Sequence, residues 1–350
     1  LNTPAPENRP ADNRSSDRRS RDPLIDRFGR VHRSLRMSVT DRCNLRCFYC
    51  MPEVGAEFAP RETLLTFEEI ERIARLLVSR CDIADIRLTG GEPLVRKDLP
   101  KLVAMLSAIS GLNDLSLTTN GMLLEQFAGP LRQAGLKRLN ISIDTLDEAN
   151  FQTVSRRSGI DQVVRGIDAA IATGFETIKL NTTAVKGVTE TEIVSLVKFA
   201  IERNVQIRFI EFMPLDTDRS WRTENVLSGA TIRGIIEREF GPMVPVPPPV
   251  ASQPATDFRL AGGQPIGLIQ SVTEPFCDAC DRIRLTADGA IRNCLFSQNE
   301  FPIRDLVRSG ASDDALIDQF KAAVSAKAAG HGIDDGGFSP PQRPMYSIGG

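Results

Sequence analysis

Three things are scarce in this 350-residue sequence, and each scarcity closes off a class of function. No stretch approaches the roughly 20 consecutive apolar residues that a membrane-spanning helix requires. No apolar signal core follows the first residues either, so the expected address is the cytoplasm, with no membrane partner. Net charge is nearly absent: 43 Lys and Arg stand against 45 Asp and Glu, which argues against a nucleic-acid groove and makes any phosphate site a matter of local clustering. Histidine is the third, with His32 far upstream and His331 in a loose C-terminal stretch. A hydrophobic content of 41% nonetheless supports a core for one large α/β domain, or for a medium domain with a smaller partner.

The first 22 residues mix Arg, Asp, Ser, Asn and Pro with a single leucine and no aromatic side chain, a composition that cannot offset the entropy of ordering. A disordered tail is expected over residues 1–24. A mitochondrial presequence is the rival reading, and Glu7, Asp12, Asp17 and Asp22 speak against it. From Leu35 onward, short β-branched or alternating runs recur at Leu35 to Thr40, Asp85 to Thr89, Asp114 to Thr119, Arg138 to Asp144, Thr177 to Val185 and Gln206 to Met213. Helical periodicity fills the intervals, as in Thr66 to Ser79 and Thr189 to Arg203, with Thr66 and Thr189 placed to cap. Six βα units in series predict parallel strands over residues 25–241, curling into a partial TIM-type barrel or a wound open sheet. In either form, chemistry gathers at the strand C-termini. Six prolines between Pro242 and Pro254 predict a stiff connector over 242–257. A smaller α+β module is expected over 258–350, with a strand at Gly267 to Val272, a hairpin turn at Asp288-Gly289 and a helix near Asp313 to Lys327.

Six of the seven cysteines fall into two trios, while Cys81 stands alone as a core filler. Cys43, Cys47 and Cys50 are too close to pair mutually and one thiol short of a self-sufficient zinc site. Three thiolates suit a cubane iron–sulfur cluster with one iron open to a chelating ligand. Cys277, Cys280 and Cys294 form a second trio with no obvious fourth ligand, since neither histidine is placed to help. Zinc is the competing occupant at both trios. Between the second set of ligands, alternation puts Arg282 and Arg284 on one strand face, and Arg36, Arg87, Lys179 and Arg208 project from the barrel mouth. Together they read as a polyanion pocket.

The spacing C-x3-C-x2-C after the first strand, with Tyr49 before the last cysteine, resembles the signature of the radical S-adenosylmethionine superfamily, and Gly90-Gly91-Glu92-Pro93 looks like its G-G-E-P loop. The resemblance implies a [4Fe-4S] cluster that reductively cleaves S-adenosylmethionine to a 5′-deoxyadenosyl radical. It also implies an adenosylmethionine site formed by Tyr49, Gly91, Glu92, Ser142 and Met213. The wider pattern resembles the GTP 3′,8-cyclase family: R-L-T-G-G-E-P-L, L-T-T-N-G, N-I-S-I-D, I-R-F-I-E-F-M, F-C-D-A-C-D-R-I-R-L and the terminal Gly349-Gly350. That family opens molybdenum cofactor biosynthesis by taking hydrogen from the ribose 3′ carbon of GTP and joining it to guanine carbon 8.

The resemblance further implies a second [4Fe-4S] cluster against the base and GTP contacts at Arg36, Arg87, Thr118, Lys179, Arg282, Ile283 and Arg284. It places a Gly349-Gly350 tail in the active site near Arg36, with Arg208 among the catalytic candidates. An external one-electron reductant, a homodimer and association with the next enzyme, cyclic pyranopterin monophosphate synthase, are implied in the same way. A radical peptide maturase with an auxiliary cluster and a non-catalytic zinc module are the alternatives.

Overall fold

The computed structural model describes residues 21–216, 219, 221–333 and 338–349. Six parallel strands run in chain order across its centre: β1 (Ser34–Ser38), β2 (Asp85–Thr89), β3 (Asp114–Thr119), β4 (Arg138–Ser142), β5 (Thr177–Ala184) and β6 (Gln206–Glu211). The order β1 to β6 is unbroken, as serial βα units with right-handed crossovers require. Alternation along each strand divides two environments. Leu35, Met37, Ile86, Leu88, Leu117, Leu139, Ile141, Leu180, Ile207 and Phe209 point outward and join the helices in one apolar core. Their neighbours Arg36, Arg87, Thr118, Asn181 and Arg208 point into the bore.

Local signals explain the helices. Thr66 caps Phe67–Arg80 by accepting from the Glu69 amide, and the Glu69 carboxylate accepts in return from the Thr66 amide. Thr189 departs from its expected role as a helix cap. Its hydroxyl accepts from the Val185 amide at 2.8 Å, and a short 3-10 turn (Glu190–Glu192) precedes the helix Ile193–Glu202. Cys81 is fully buried in the core.

The C-terminal part is built onto the barrel sheet at both of its edges. Beyond β6 the sheet continues through β7 (Val244–Val246), β8 (Thr256–Arg259) and β9 (Pro265–Ile269), with β9 parallel to β6. Beyond β1 it continues through β10 (Arg282–Leu285), β11 (Ala290–Arg292) and β12 (Phe301–Pro302), with β10 parallel to β1. The proline-rich stretch drawn as a connector over 242–257 therefore contains an edge strand, and the boundary at 258 falls inside β8. Pro245 is tolerated because β7 has a partner on one side only. Asp288-Gly289 turns the antiparallel pair of β10 and β11.

The expected tail over 1–24 lies outside the described residues as far as residue 20. Its inner end is packed against the barrel: Leu24 is fully buried, and Asp22 pairs with Arg80 at 2.8 Å and Lys321 at 2.9 Å. The physical reason is that Leu24 supplies a large apolar side chain beside the barrel, and two cations meet Asp22. No helix among the described residues is long and apolar enough to cross a membrane.

Ile283 separates the two β10 arginines and is fully buried on the helix side of the sheet. Ile283→Ala should lower the unfolding free energy by about 2–5 kcal/mol, read from the denaturant midpoint. Val244→Ala on the exposed edge should move it by less than about 0.5 kcal/mol.

Candidate active site

Strand register brings the cations together. Arg36 on β1 lies level with Arg284 on β10 at one side and Arg87 on β2 at the other, and Arg282 is level with Ser34. Arg208 reaches over β9, where it can cross only because position 267 is glycine; a Cβ there would lie 2.6 Å from the Arg208 Cγ. Arg36, Arg87, Arg208, Arg282 and Arg284 line a single cavity of about 180 Å³ that no Asp or Glu lines, and none of the five makes an ion pair among the described residues. Neutral groups hold them. Arg87 donates to Ser116 at 3.3 Å, and Arg208 donates to Asn181 at 2.9 Å and Asn140 at 2.5 Å.

Burial and mutual repulsion lower the guanidinium pKa values, to about 10 at Arg87 and Arg284 and about 9 at Arg208, with Arg36 lowered well below its usual value. Arg87, Arg208 and Arg284 remain charged near neutral pH, so the cavity is a concentrated field awaiting a polyanion. Lys179 shares the inward face of β5 with Asn181, two residues nearer the strand start, and burial lowers its ammonium to about 8. Ile283 points away from the cavity into the core, so a contact to a ligand there falls to its backbone.

Cys277, Cys280 and Cys294 open on this same cavity. The Cys277 carbonyl accepts from Arg30 at 2.8 Å, and the Arg30 guanidinium is held by Asp26 at 2.6 Å. Burial alone would raise the Cys280 thiol, yet Arg282 and Lys327 bring it down to about 7. His331 is brought to the site from the stretch expected to be loose. One ring nitrogen meets the Ser271 carbonyl at 2.9 Å, the other accepts from the Ile333 amide at 3.1 Å, and the ring packs on Phe296. Both nitrogens are thus engaged inside the protein.

Cys43, Cys47 and Cys50 line a second cavity, also of about 180 Å³, with Tyr49, Gly90, Gly91, Glu92 and Ser142. Their loop is pinned to the end of the helix Glu148–Ser155 by the amides of Arg46 and Phe48, which donate to Ser155 and Val154. Burial pushes the Cys43 thiol up to about 11 and Cys50 to about 12, and raises Cys47 well above its usual value. Sulfur donors this far from ionising by themselves are what a bound metal cluster deprotonates. Among the described residues no three His, Cys, Asp or Glu side chains converge closely enough to hold a single metal ion. The chemistry of the donor set, three thiols around a void, fits an iron–sulfur cluster.

Gly91 packs its backbone directly on that loop; a Cβ would lie 2.5 Å from the Arg42 carbonyl. Glu92 is buried and accepts from Leu94 N at 3.0 Å, Thr119 Oγ1 at 2.7 Å and Asn120 N at 2.7 Å. A carboxylate offers about four acceptor positions, so the Glu92 side chain mainly holds the Thr119-Asn120 turn and keeps little for a ligand. Asn120 carries that order onward, donating to Asn44 at 2.8 Å and lying 3.7 Å from Cys43 Sγ. The Tyr49 hydroxyl donates to Asp144 at 2.5 Å. Met213, expected beside the adenosyl group, lines the arginine cavity instead.

The two cavities adjoin: Thr118, Asn181, Ile210 and Met345 line both. The C-terminal tail closes the bore, with Tyr346 and Ile348 buried and Arg284 donating to the Gly349 carbonyl. Gly349 has φ +79°, and a Cβ would lie 2.6 Å from Thr89 Oγ1, so only glycine fits. Gly350 lies outside the described residues. Arg30, His331 and Lys327 escaped the sequence reading of the site. Asn120 had a signal in its place after β3, whereas Arg30 and Lys327 look like ordinary solvated charges until the chain folds.

A partial βα barrel with a cysteine trio after its first strand and a G-G-E-P loop after its second defines a radical S-adenosylmethionine protein, with the [4Fe-4S] cluster and cosubstrate that the superfamily entails. The profile of the Radical SAM superfamily matches residues 37–200, and that of Molybdenum Cofactor Synthesis C matches residues 205–333. GTP 3′,8-cyclase of Rhodopirellula baltica is 58% identical over 93% of this chain and 92% of its own length, and that of Corynebacterium glutamicum is 44% identical over 93% and 89%. The chain belongs to the GTP 3′,8-cyclase family. Among solved structures, methylornithine synthase aligns loosely, at a TM-score of 0.47 and 18% identity over 61% of this chain and 63% of that one.

Gly91→Ala should displace the Arg42 backbone and with it the first trio. The expected result, measured on anaerobically reconstituted protein, is a loss of about one cluster's iron and at least a tenfold loss of S-adenosylmethionine cleavage.

Proposed function

We propose that this chain converts GTP into (8S)-3′,8-cyclo-7,8-dihydroguanosine 5′-triphosphate, the first step of molybdenum cofactor biosynthesis. The observation that carries the reading is the continuity of the two cavities, one walled by a cysteine trio and the G-G-E-P loop, the other by five uncompensated guanidinium groups and the second trio. Cys43, Cys47 and Cys50 would hold the first [4Fe-4S] cluster, with Tyr49, Gly91, Glu92 and Ser142 around S-adenosylmethionine. When bound, this cluster and cosubstrate supply a carbon-centred radical able to take hydrogen from the ribose 3′ carbon.

The rest is positioning by the chain. Arg36, Arg87, Arg282 and Arg284 neutralise the triphosphate, with Lys179 and Arg208 deeper on the same face. Thr118 and Asn181 stand at the junction of the cavities, where the ribose must lie for its 3′ carbon to face the first trio. Cys277, Cys280 and Cys294 would hold a second [4Fe-4S] cluster whose open iron meets the guanine base and fixes carbon 8 near carbon 3′. Holding both carbons in near-attack geometry makes ring closure faster than escape. The tail, with Tyr346 and Ile348 buried, excludes water from the bore.

An external one-electron reductant supplies the electron, the address is the cytoplasm, and a homodimer passing its product to cyclic pyranopterin monophosphate synthase completes the proposal. The arginine wall favours a nucleoside triphosphate over the peptide of a maturase, and the activity excludes a purely structural zinc module.

Reconstituted protein given S-adenosylmethionine, reductant and GTP should form 5′-deoxyadenosine together with the cyclised nucleotide. Deoxyadenosine formation that ignores GTP would sink the reading. Arg87→Ala, which removes one charge-assisted contact of about 1.5–3 kcal/mol, should raise the KM for GTP about tenfold or more. Cluster content should stay unchanged, as iron analysis can verify.

A further inference from the structure

Lys327 follows the helix Asp313–Ser325 and is only 3% exposed, an unusual state for a lysine. Its ammonium donates to the Arg282 carbonyl at 2.8 Å and to Cys280 Sγ at 3.4 Å. The same sulfur receives Arg282 Nη2 at 3.3 Å. Cys280 therefore has two cationic donors, whereas Cys43 in the other trio meets a backbone amide at 3.4 Å and a side-chain amide at 3.7 Å. Arg282 lines the cavity and is free to face a ligand, but Lys327 does not line it. Lys327 sits behind the cysteine and can act on a ligand only through the sulfur.

We infer that Lys327 is a positioning and tuning residue of the second metal centre: it fixes Cys280 against the β10 backbone and places a buried positive charge on one cluster sulfur. The inference rests on the second-cluster reading proposed above. Hydrogen bonds and positive charge at a cluster sulfur favour the reduced, more negative form and so raise its reduction potential. The second trio would thereby be held at a higher potential than the first, whose sulfurs have neutral donors. The second centre, once reduced, would then be the weaker reductant of the two, and the open iron keeps a fixed offset from the Arg282 and Arg284 pair.

The test uses full-length protein carrying Cys43→Ala, Cys47→Ala and Cys50→Ala, so that only the second trio can bind iron. Iron and sulfide content and the midpoint potential, followed by electron paramagnetic resonance during a redox titration, are compared for Lys327, Lys327→Met and Lys327→Arg. The expected result is near-equal iron content in all three, a midpoint shifted to more negative potential in Lys327→Met, and recovery of most of the shift in Lys327→Arg. Should Lys327→Met fail to fold, Lys327→Gln keeps a polar group of similar length and carries the same expectation. Iron retained with an unchanged midpoint in the uncharged variants overturns the inference alone. A parent protein that binds no iron at the second trio overturns the second-cluster reading, and the inference with it.

Discussion

Repulsion among guanidinium groups is the constraint around which this molecule is arranged. Arg36, Arg87 and Arg284 occupy one level of three adjacent strands, with no carboxylate in the cavity wall to relieve them. Such a row costs stability when the cavity holds only water, and the sheet must hold it in place. It does so with the apolar residues that alternate with the arginines: Leu35, Met37, Ile86, Leu88, Ile283 and Leu285 are all buried against the helices. The same alternation that drives the fold thus aims the charges into the cavity proposed for the triphosphate. Neutral partners such as Asn140, Asn181 and Ser116 orient the cations without quenching them.

Around that row, the two cysteine trios differ in electrostatic setting. The first lies in a region where burial and neighbouring acids oppose ionisation, as the raised Cys43, Cys47 and Cys50 thiols record. The second lies beside Arg282 and Lys327, which lower Cys280. Cys280 thereby meets an environment opposite in sign to that of the first trio, while burial raises the Cys277 thiol. Negative charge is thus poorly tolerated around the first trio and better tolerated beside Cys280.

Much of this was legible in the sequence, because the informative signals were local. Asp85 to Thr89 and Asp114 to Thr119 were bounded correctly by alternation alone, and Thr66 with Glu69 marked a real capping box. The cysteine trios and the arginines of β10 could be read by spacing. What escaped depends on contacts distant in the chain. Nothing near Leu24 announces that it will be buried, and the prolines around Pro245 hide an edge strand whose hydrogen bonds come from β8. The bonds that Thr119 and Asn120 donate to Glu92 were hidden in the same way, because β3 supplies them from further along the chain. Lys327 reads as a solvated helix end, and only the approach of β10 turns it inward.

The pairing of Ser34 with Arg282 joins two strands far apart along the chain. Until β10 arrives, β1 presents a bare edge, and the charged row has only its Arg36 and Arg87 members. The last turn, Met345–Ile348, then lays its side chains over both hollows at once. Contacts so remote along the chain form late and slowly. The interior that would shelter a radical therefore depends on residues distant in the chain, and loss of the last turn would leave its throat open to water.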